Sequence, residues 1–334
     1  MIKDFIKAIK AHDESLLTRL IDPFIACKIP NKDSIFNHAK VIDLLIKLED
    51  FNVIDYYKFL SYWVVEFTKD NLNFVAKIKH NDKHIYQIYV EEKRFTKRLC
   101  VRYAYNGTLF YGSQRQVNQP SVTGVLEKVF SQYLNHPCEL IPASRTDRFV
   151  HALDQVAHLD TDSKISLDKL KTILNDALDT DIIIKSINVV PQVFHARFDV
   201  VKKSYLYKFV HTREIEQAHL ATYHEPFNLN KLHENMMLFL GKHDFKSFSK
   251  SKESDFTKRT IHDIEIFKEG PYTCIRLTGD GFLRYMVRMM VGQVLYDLDY
   301  HKKTIKGYLE NPSHNQAIHI AKAKGLYLEK IDYE

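Results

Sequence analysis

The chain is poor in the features that mark secreted and membrane proteins. Its 334 residues include four cysteines, far apart, with no CxxC pair and no Cys/His metal spacing. That scarcity excludes a disulfide scaffold and predicts a reducing compartment. The amphipathic segment 1–10 lacks the apolar run of a signal peptide, and no later stretch approaches a membrane span. These absences predict a cytoplasmic protein without a membrane partner.

The chain also has only a small excess of positive over negative side chains. The net charge is +6, and residues 1–96 hold 15 basic against 14 acidic side chains, while residues 97–334 hold 33 against 28. This mild excess permits a nucleic-acid partner and places its contacts in the later part of the chain. Arginine is scarce, 13 against 35 lysines, so we expect arginine where a planar, bidentate cation is required.

The first 96 residues are predicted as a mainly helical domain. Apolar residues recur at helical spacing through residues 2–68, and Val53–Phe67 is predicted as one of the helices. Phe74–Val90 alternates in polarity, which is typical of a β-hairpin. The charged connector Glu91–Lys97 follows, and we place the first domain boundary there.

Residues 97–334 alternate between strands and helices, which predicts an α+β fold. We expect two similar α/β lobes, 97–200 and 201–334, each an antiparallel sheet with helices on one face. The predicted strands are Leu99–Tyr105, Glu139–Ala143, Gln155–Leu159, Ile182–Val190, Ser204–His211, Ile261–Phe267 and Tyr272–Leu277, and Ala321–Tyr333 is predicted as a final turn and strand. The predicted helices are Ser121–Leu134, Ser166–Leu178, Leu229–Leu240 and Tyr285–Leu295.

The segment Ala143-Ser-Arg-Thr-Asp-Arg-Phe-Val-His-Ala152 concentrates polar groups. Arg145 and Asp147 lie two residues apart, with no second carboxylate or metal ligand beside the aspartate. A single carboxylate kept ionised by a guanidinium suits chemistry run by one Asp. Two alternatives remain open: a surface loop whose ion pair contributes little, and a hydrolase with Asp147 as nucleophile. The hydrolase would lack a paired acid/base carboxylate and a nucleophile elbow.

Four blocks of residues 98–334 resemble the TruA family of tRNA pseudouridine synthases, in the order and spacing of that family. The blocks are Tyr105-Asn-Gly-Thr-Leu-Phe-Tyr-Gly-Ser-Gln-Arg-Gln116, Ser144-Arg-Thr-Asp-Arg-Phe-Val-His-Ala152 with Gln155-Val-Ala-His158, Phe194-His-Ala-Arg-Phe198 with Lys203-Ser-Tyr205-Leu-Tyr207, and Phe282-Leu-Arg-Tyr-Met-Val-Arg288-Met-Met-Val-Gly292. Residues 1–96 match no family pattern and form an N-terminal extension.

The blocks depart from the family pattern at a few positions. Ser144 and Phe149 stand where the family has glycine, Ser113 replaces a tryptophan, and Asn106 replaces an aspartate. A glycine position often reflects a special φ angle or a close backbone approach. Phe149 therefore bears on the shape of the pocket rim and on target choice more than on the chemistry.

The resemblance implies a reaction and the residues that perform it. Members of the family break the N1–C1′ bond of a uridine, turn the base and rejoin it through C5, with no metal or other cofactor. Asp147 matches the catalytic Asp, and Arg145 matches an Arg that helps to flip the base and pairs with Asp147. Tyr205 matches the Tyr that stacks on the base, and Arg288 matches a second Arg that pairs with Asp147. Purely structural roles are the alternatives: Tyr205 would be an ordinary aromatic residue of a strand, and Arg288 would form a structural ion pair on a helix.

Further polar residues have weaker predicted roles. Candidate phosphate contacts are Arg115, Arg148, Lys202 and Lys203, and ordinary solvated charge is the alternative for each. Three histidines in separate blocks, His151, His158 and His195, have no Cys or carboxylate at ligand spacing, so we predict structural histidines rather than a metal site.

The resemblance also implies partners. It predicts a homodimer that binds tRNA and modifies the anticodon stem-loop. The alternative is a non-catalytic RNA-binding protein on a diverged synthase fold, motivated by the glycine losses at Ser144 and Phe149. The joint retention of four motif residues argues against that alternative: Arg145, Asp147, Tyr205 and Arg288.

Overall fold

The computed structural model describes residues 1–30, 34–48, 51–250 and 256–334. Its N-terminal part is a five-stranded sheet with three helices, in the strand order β1-β5-β4-β3-β2. The strands are β1 (Ile21–Lys28), β2 (Asn52–Phe59), β3 (Tyr62–Lys69), β4 (Leu72–His80) and β5 (Ile85–Glu92). The helices are α1 (Ile2–Lys10), α2 (Glu14–Leu20) and α3 (His38–Ile46).

The prediction of a mainly helical N-terminal domain is wrong, because strands dominate it. Val53–Phe67, predicted as a helix, forms most of β2 and β3, which reverse at Leu60 with a φ of +50°. This sheet is covered on both faces, so its strands lack the polar alternation that distinguishes a strand from a helix. The hairpin predicted over Phe74–Val90 is confirmed as β4 and β5.

Opposite faces of this sheet pack against different partners, because side chains alternate along a strand. On one face, residues such as Val65 and Ile78 join the core formed with α1, α2 and α3. On the other face, Tyr62 and Val64 contact Val193, which lies in the later part of the chain. The N-terminal domain is therefore docked on residues 97–334 through an apolar contact.

A buried ion pair reinforces that contact. Lys77 Nζ, on β4, donates to both carboxylate oxygens of Asp199 at 2.5 and 2.7 Å, and the two side chains are 7% and 4% exposed. The Tyr62 hydroxyl donates to the same carboxylate at 3.3 Å, and the His195 N–H donates at 3.0 Å. Two of these donor residues belong to the N-terminal domain, so Asp199 depends on that domain for its hydrogen bonds.

We expect Lys77→Met to destabilise the full chain by about 3 kcal/mol, because it leaves the Asp199 carboxylate buried without its cation. Urea unfolding of the full chain measures this loss. The matched variant is the double substitution Lys77→Met with Asp199→Asn, which removes both charges and is expected to recover much of the stability. A loss below about 1 kcal/mol in the single variant would show that the ion pair contributes little.

Residues 97–334 form one continuous sheet, in the strand order β12-β13-β14-β10-β15-β8-β6-β9, with two short strands paired beside it. The strands are β6 (Lys97–Tyr105), β7 (Ile141–Pro142), β8 (His151–Thr161), β9 (Ile182–Val190), β10 (Lys202–Val210), β11 (Thr222–Tyr223), β12 (Gly241–Asp244), β13 (Lys258–Glu269), β14 (Tyr272–Gly279) and β15 (Leu326–Asp332). The helices are α4 (Val122–Leu134), α5 (Leu167–Ala177), α6 (Leu229–Met237), α7 (Met286–Asp299) and α8 (Ile305–Glu310).

The expectation of two separate antiparallel sheets needs correction, because β15 joins them. This last strand lies between β10 and β8, antiparallel to β10 and parallel to β8. The pairing of β15 with β8 could not be predicted from local sequence patterns, because the two strands are far apart in the chain. A hydrophobic core cluster likewise includes residues of both halves, from Leu99 to Tyr333.

The strands and helices predicted within residues 97–334 are confirmed, with ends shifted by a few residues. The predicted boundary at residues 200 and 201 falls in the loop between β9 and β10 and stays a prediction. No helix in the part of the chain that the structure describes combines the length and apolarity needed to cross a membrane.

Candidate active site

The Arg145-Thr-Asp147 loop connects β7 to β8 and is fixed by its central residue. The Thr146 N–H donates to Ser113 Oγ at 2.8 Å, and the Ser113 N–H donates to the Thr146 carbonyl at 3.1 Å. The Thr146 hydroxyl also lies 2.7 Å from the Tyr105 hydroxyl. Ser113, which replaces the tryptophan of the family pattern, therefore hydrogen-bonds the Arg145-Thr-Asp147 loop.

Two glycines let the loop after β6 approach this segment. Gly112 has a φ of +95°, and a Cβ built there would lie 2.9 Å from the Thr146 carbonyl oxygen. A Cβ on Gly107 would lie 2.1 Å from the Val150 carbonyl oxygen. Neither position has room for a larger residue, which explains why glycine stands at both places in the first block.

The Asp147 carboxylate forms an ion pair with Arg288 at the junction of the two halves. Arg288 Nη1 donates to Asp147 Oδ2 at 2.9 Å, and the side chains are 25% and 15% exposed for Asp147 and Arg288. The charged pair is thus partly shielded from water, which strengthens it relative to a surface pair. The carboxylate also keeps solvent access on one side, as a substrate site requires.

Arg288 is held from behind by the segment that follows α8. Its Nε donates to the Ala321 carbonyl at 2.9 Å, and its own carbonyl accepts from the Ala321 N–H at 2.9 Å. Gly292, one turn further along α7, lies against the same segment, since a Cβ there would be 2.5 Å from the His319 carbonyl oxygen. The guanidinium carbon lies 4.9 Å from the centre of the Tyr285 ring. These contacts aim the guanidinium at Asp147.

Tyr205, on β10, lies beside this ion pair with its ring buried. Its hydroxyl is 3.1 Å from Ser144 Oγ, and its ring meets Phe282 edge to face with centres 5.0 Å apart. Burial raises the pKa of Tyr205 to about 12, the negative charge of Asp147 adds to the rise, and the Ser144 hydrogen bond opposes it. The phenol is therefore neutral at physiological pH and retains its proton.

The structure brings Asp147, Arg288 and Tyr205 together and leaves Arg145 at the surface. Arg145 is exposed, and within residues 1–30, 34–48, 51–250 and 256–334 its guanidinium has no ion pair or hydrogen bond. The pair with Asp147 is therefore made by Arg288, from a helix 141 positions away, rather than by the neighbouring arginine.

The two predicted lysine contacts differ in orientation. Lys202 is exposed, as a phosphate contact requires. Lys203 Nζ donates to the Ala143 carbonyl at 2.8 Å, just before the loop that carries Asp147. Burial lowers the pKa of Lys203 to about 8, and the nearby positive charges of Arg197 and Arg259 add to this effect. The geometry favours a structural role for Lys203.

The two predicted arginine contacts also differ. Arg115 forms ion pairs with Glu127 and with Glu139, so its charge is already compensated. Arg148 contacts two aromatic rings, with its guanidinium carbon 4.0 Å from the centre of Tyr111 and 4.4 Å from that of Phe149. Of these two arginines, Arg148 is the one without an acidic partner among the described residues.

The three histidines of the motif blocks act as hydrogen-bond acceptors within the fold. His151 Nδ1 accepts from the Gly107 N–H at 3.1 Å, and His158 Nδ1 accepts from the Ala196 N–H at 3.1 Å. His195 Nδ1 accepts from the Arg197 N–H at 3.2 Å. No group of three His, Cys, Asp or Glu side chains is placed to hold a metal ion in the described ranges.

We expect the protein to lose stability in acid because of His158. This side chain is 2% exposed, and burial lowers its pKa to about 2, with nearby positive charges adding to the shift. The unfolded chain takes up the proton near pH 6.5 and the folded chain does not, so stability falls as pH falls through that value. The loss between pH 8 and pH 5 is about 2 kcal/mol from this residue.

His158→Asn tests this expectation, since the amide oxygen can still accept the Ala196 N–H. Urea unfolding at pH 8 and pH 5 is expected to show a smaller acid loss for this variant than for the wild type. His301→Asn, an exposed control, is expected to keep the wild-type difference. An unchanged acid loss in His158→Asn would show that other groups cause it.

Several residues at the site escaped the sequence analysis as functional residues. Ser144 hydrogen-bonds Tyr205, Ser113 fixes Thr146, and Tyr111 contacts Arg148. Departure from the family pattern was the available signal for Ser144 and Ser113, because a residue that replaces a glycine or a tryptophan changes local contacts. Tyr111 gave no such signal.

Comparison with known proteins finds relatives over about 70% of the chain. The profile of a family described as tRNA pseudouridine synthase matches residues 102–199 and 236–334. A "tRNA pseudouridine synthase A 2" of Bacillus cereus is 36% identical over 239 residues, 69% of this chain and 96% of that protein. The "tRNA pseudouridine synthase A" of Anoxybacillus flavithermus is 36% identical over 247 residues, 71% of this chain and 99% of that protein.

Among solved structures, an NTF-2 like protein of unknown function from Burkholderia xenovorans matches 27% of this chain and 78% of its own, at 14% identity and a TM-score of 0.25. A likeness at that level carries no conclusion about fold or function. The family match leaves residues 1–101 and 200–235 outside it, and the second segment includes Tyr205.

Proposed function

Because this chain belongs to the tRNA pseudouridine synthase family, whose reaction is the isomerisation of uridine in tRNA, we propose that Asp147 is its catalytic residue. The observation that carries the proposal is the half-shielded Asp147 carboxylate, paired with Arg288 at 2.9 Å where the two halves meet. A guanidinium partner keeps the carboxylate ionised and fixes its orientation. The halves would form a cleft with this carboxylate at its centre.

The reaction exchanges one glycosidic bond for another. The N1–C1′ bond breaks, the base turns, and a C5–C1′ bond forms, while C5 loses a proton and N1 gains one. The Asp147 carboxylate acts on the ribose or on the uracil, and either role requires an ionised oxygen with access to the substrate. Arg288 keeps the carboxylate ionised, and the 25% exposure of the Asp147 side chain leaves it accessible to the substrate.

Tyr205 and Arg145 would handle the base itself. The Tyr205 ring offers a surface for the uracil, and its neutral hydroxyl can donate or accept a proton near C5. The contact with Ser144 at 3.1 Å gives that hydroxyl an exchange partner. Arg145 is exposed and free of protein partners in the described part of the chain, which suits a side chain that inserts into RNA to help flip the target nucleotide.

We propose the anticodon stem-loop of tRNA as the target region and a cytoplasmic homodimer as the working form. Both proposals rest on the family resemblance of the four sequence blocks. The charge excess of residues 97–334 and the exposed side chains of Arg145 and Lys202 support tRNA contacts on that part of the molecule. The N-terminal domain is docked on the synthase part and would accompany it on the tRNA.

Pseudouridine mapping tests the proposed function. Purified full-length protein is incubated with a pool of tRNA transcripts, and the modified positions are compared with those lost from cells that lack the protein. We expect pseudouridine at the same anticodon stem-loop positions in both experiments, and unchanged activity after EDTA treatment of protein and refolded tRNA. Modification confined to other tRNA regions would overturn the proposed target. Tight tRNA binding without any pseudouridine would favour the non-catalytic alternative.

A further inference from the structure

Three side chains next to the catalytic aspartate form an aromatic and cationic surface. The Arg148 guanidinium carbon lies 4.0 Å from the Tyr111 ring centre and 4.4 Å from the Phe149 ring centre. Both rings are 38% exposed, and Arg148 is exposed as well. We call these three residues the rim platform. Arg148 directly follows Asp147 in the chain, so the rim platform borders the proposed reaction site.

The backbone at Phe149 is strained. The Val150 N–H donates to the Asp147 carbonyl at 3.2 Å and closes a four-residue turn with Phe149 in third position. Phe149 has a φ of +68°, and glycine is strongly preferred at this position of such a turn because φ is positive. A bulky residue in that region costs on the order of 1–3 kcal/mol and marks functional sites when it persists. Glycine would relieve the strain, so stability does not explain the phenylalanine.

Burial does not explain the phenylalanine either, since its ring is half-exposed at the rim. The backbone around it is fixed instead. Gly112 places the Tyr111 loop against the Arg145-Thr-Asp147 loop, since a Cβ on Gly112 would lie only 2.9 Å from the Thr146 carbonyl oxygen. The Tyr111 N–H is also held by the Pro120 carbonyl at 2.8 Å. The platform is thus preorganised before any ligand arrives, which lowers the entropy lost on binding.

The charge of the platform identifies its ligand. Arg148 has no acidic partner among the described residues, in contrast to Arg115 with its two glutamates. An uncompensated guanidinium between exposed rings attracts a flat, electron-rich group attached to phosphate. Unpaired nucleobases stack on such surfaces whatever their sequence, because every base has a π-face.

We propose that the rim platform of Tyr111, Arg148 and Phe149 is a binding subsite for one unpaired RNA base that flanks the target uridine. The proposal rests on the proposed function, since it assumes that Asp147 receives a flipped uridine. Stacking of the neighbouring base would hold the strand open while the uridine occupies the site. Stacking on the platform would also restrict the enzyme to uridines whose neighbouring base can be withdrawn from base stacking in the RNA.

An abasic scan of the RNA tests the subsite. The two nucleotides on each side of the mapped target uridine are replaced, one at a time, by abasic residues in an otherwise complete tRNA. The affinity of the full-length wild-type protein for each RNA is measured by filter binding. We expect one abasic position to weaken wild-type binding about 5- to 150-fold, the range for one stacked base.

The same scan with Phe149→Gly assigns the loss to the platform. This variant suits the φ of +68° and is expected to stay folded, which a thermal melt checks. Its affinity should be indifferent to the sensitive abasic position, and it should modify a wider set of uridines in a tRNA pool. Tyr111→Leu is the second variant, with the same expectation if Phe149→Gly is unstable.

Tyr300→Ala is the control for loss of an exposed aromatic ring. Tyr300 is 63% exposed and follows α7, about 18 Å along the helix axis from Arg288. This control should keep the wild-type abasic profile. Identical profiles for wild type and both platform variants would overturn the subsite, whatever the activity. Absence of pseudouridine from every wild-type reaction would overturn the proposed function and, with it, the subsite, whereas identical profiles together with pseudouridine formation would overturn the subsite alone.

Discussion

Asp147→Asn is expected to abolish isomerisation, with a loss of single-turnover rate of thousands-fold or more. Asp147 is the carboxylate that the catalytic loop presents beside Tyr205 and Arg288, and a neutral amide cannot replace an ionised oxygen in the chemical step. The substitution is nearly isosteric, and Arg288 keeps its bond to the Ala321 carbonyl. We therefore expect tRNA affinity within a few-fold of wild type.

Single-turnover kinetics with saturating enzyme and filter binding with the same tRNA measure the two quantities separately. Asp154→Asn is the matched control, because Asp154 is also ion-paired, with Arg102, and lies on β8 outside the site. Its rate should stay within a few-fold of wild type. An Asp147→Asn enzyme that retains more than a tenth of the wild-type rate would remove Asp147 from the catalytic role.

The N-terminal domain shows where prediction from hydrophobic periodicity stops. Val53–Phe67 is rich in β-branched and aromatic residues, which favour strands, yet its apolar residues occur on both faces. One face meets helices and the other meets the synthase part, so polar alternation is lost. The reversal at Leu60 carries no glycine, proline or asparagine to indicate a turn. The polarity pattern of Val53–Phe67 therefore depends on its packing against residues 97–334, which the local sequence does not reveal.

The residues proposed for the reaction were easier to place together from the sequence than the contacts around them. The four sequence blocks indicated Asp147, Tyr205 and Arg288, and the fold brings these three together. Arg148 and Lys203 were assigned the same phosphate role, but Arg148 lies against two rings and Lys203 turns inward to the Ala143 carbonyl. Side-chain direction depends on tertiary packing, so charge and position in a motif could not separate them.

Tyr205→Phe is expected to bind tRNA nearly normally and to lower the single-turnover rate by about 10²- to 10⁴-fold. The remaining ring can still pack against Phe282 and the base, which preserves affinity. The lost hydroxyl lies beside Asp147 and starts protonated, with a pKa of about 12. Its oxygen can accept the proton that C5 loses while its own proton passes to Ser144 Oγ, 3.1 Å away. Full activity of the phenylalanine variant would leave Tyr205 as a stacking surface alone.

Two controls separate the chemistry from packing and from the hydrogen bond to Ser144. Tyr207→Phe removes a buried hydroxyl two residues further along the same face of β10, where it contacts Thr222 and donates to the Lys322 carbonyl. It should lower stability by about 1 kcal/mol and leave the rate within a few-fold.

Ser144→Ala keeps the Tyr205 hydroxyl and removes the contact at 3.1 Å. If Ser144 only orients that hydroxyl, this variant should lose less than about tenfold in rate, well short of the loss in Tyr205→Phe. Equal losses in the two variants would show instead that the proton passes through both hydroxyls, because either substitution would then interrupt the same path.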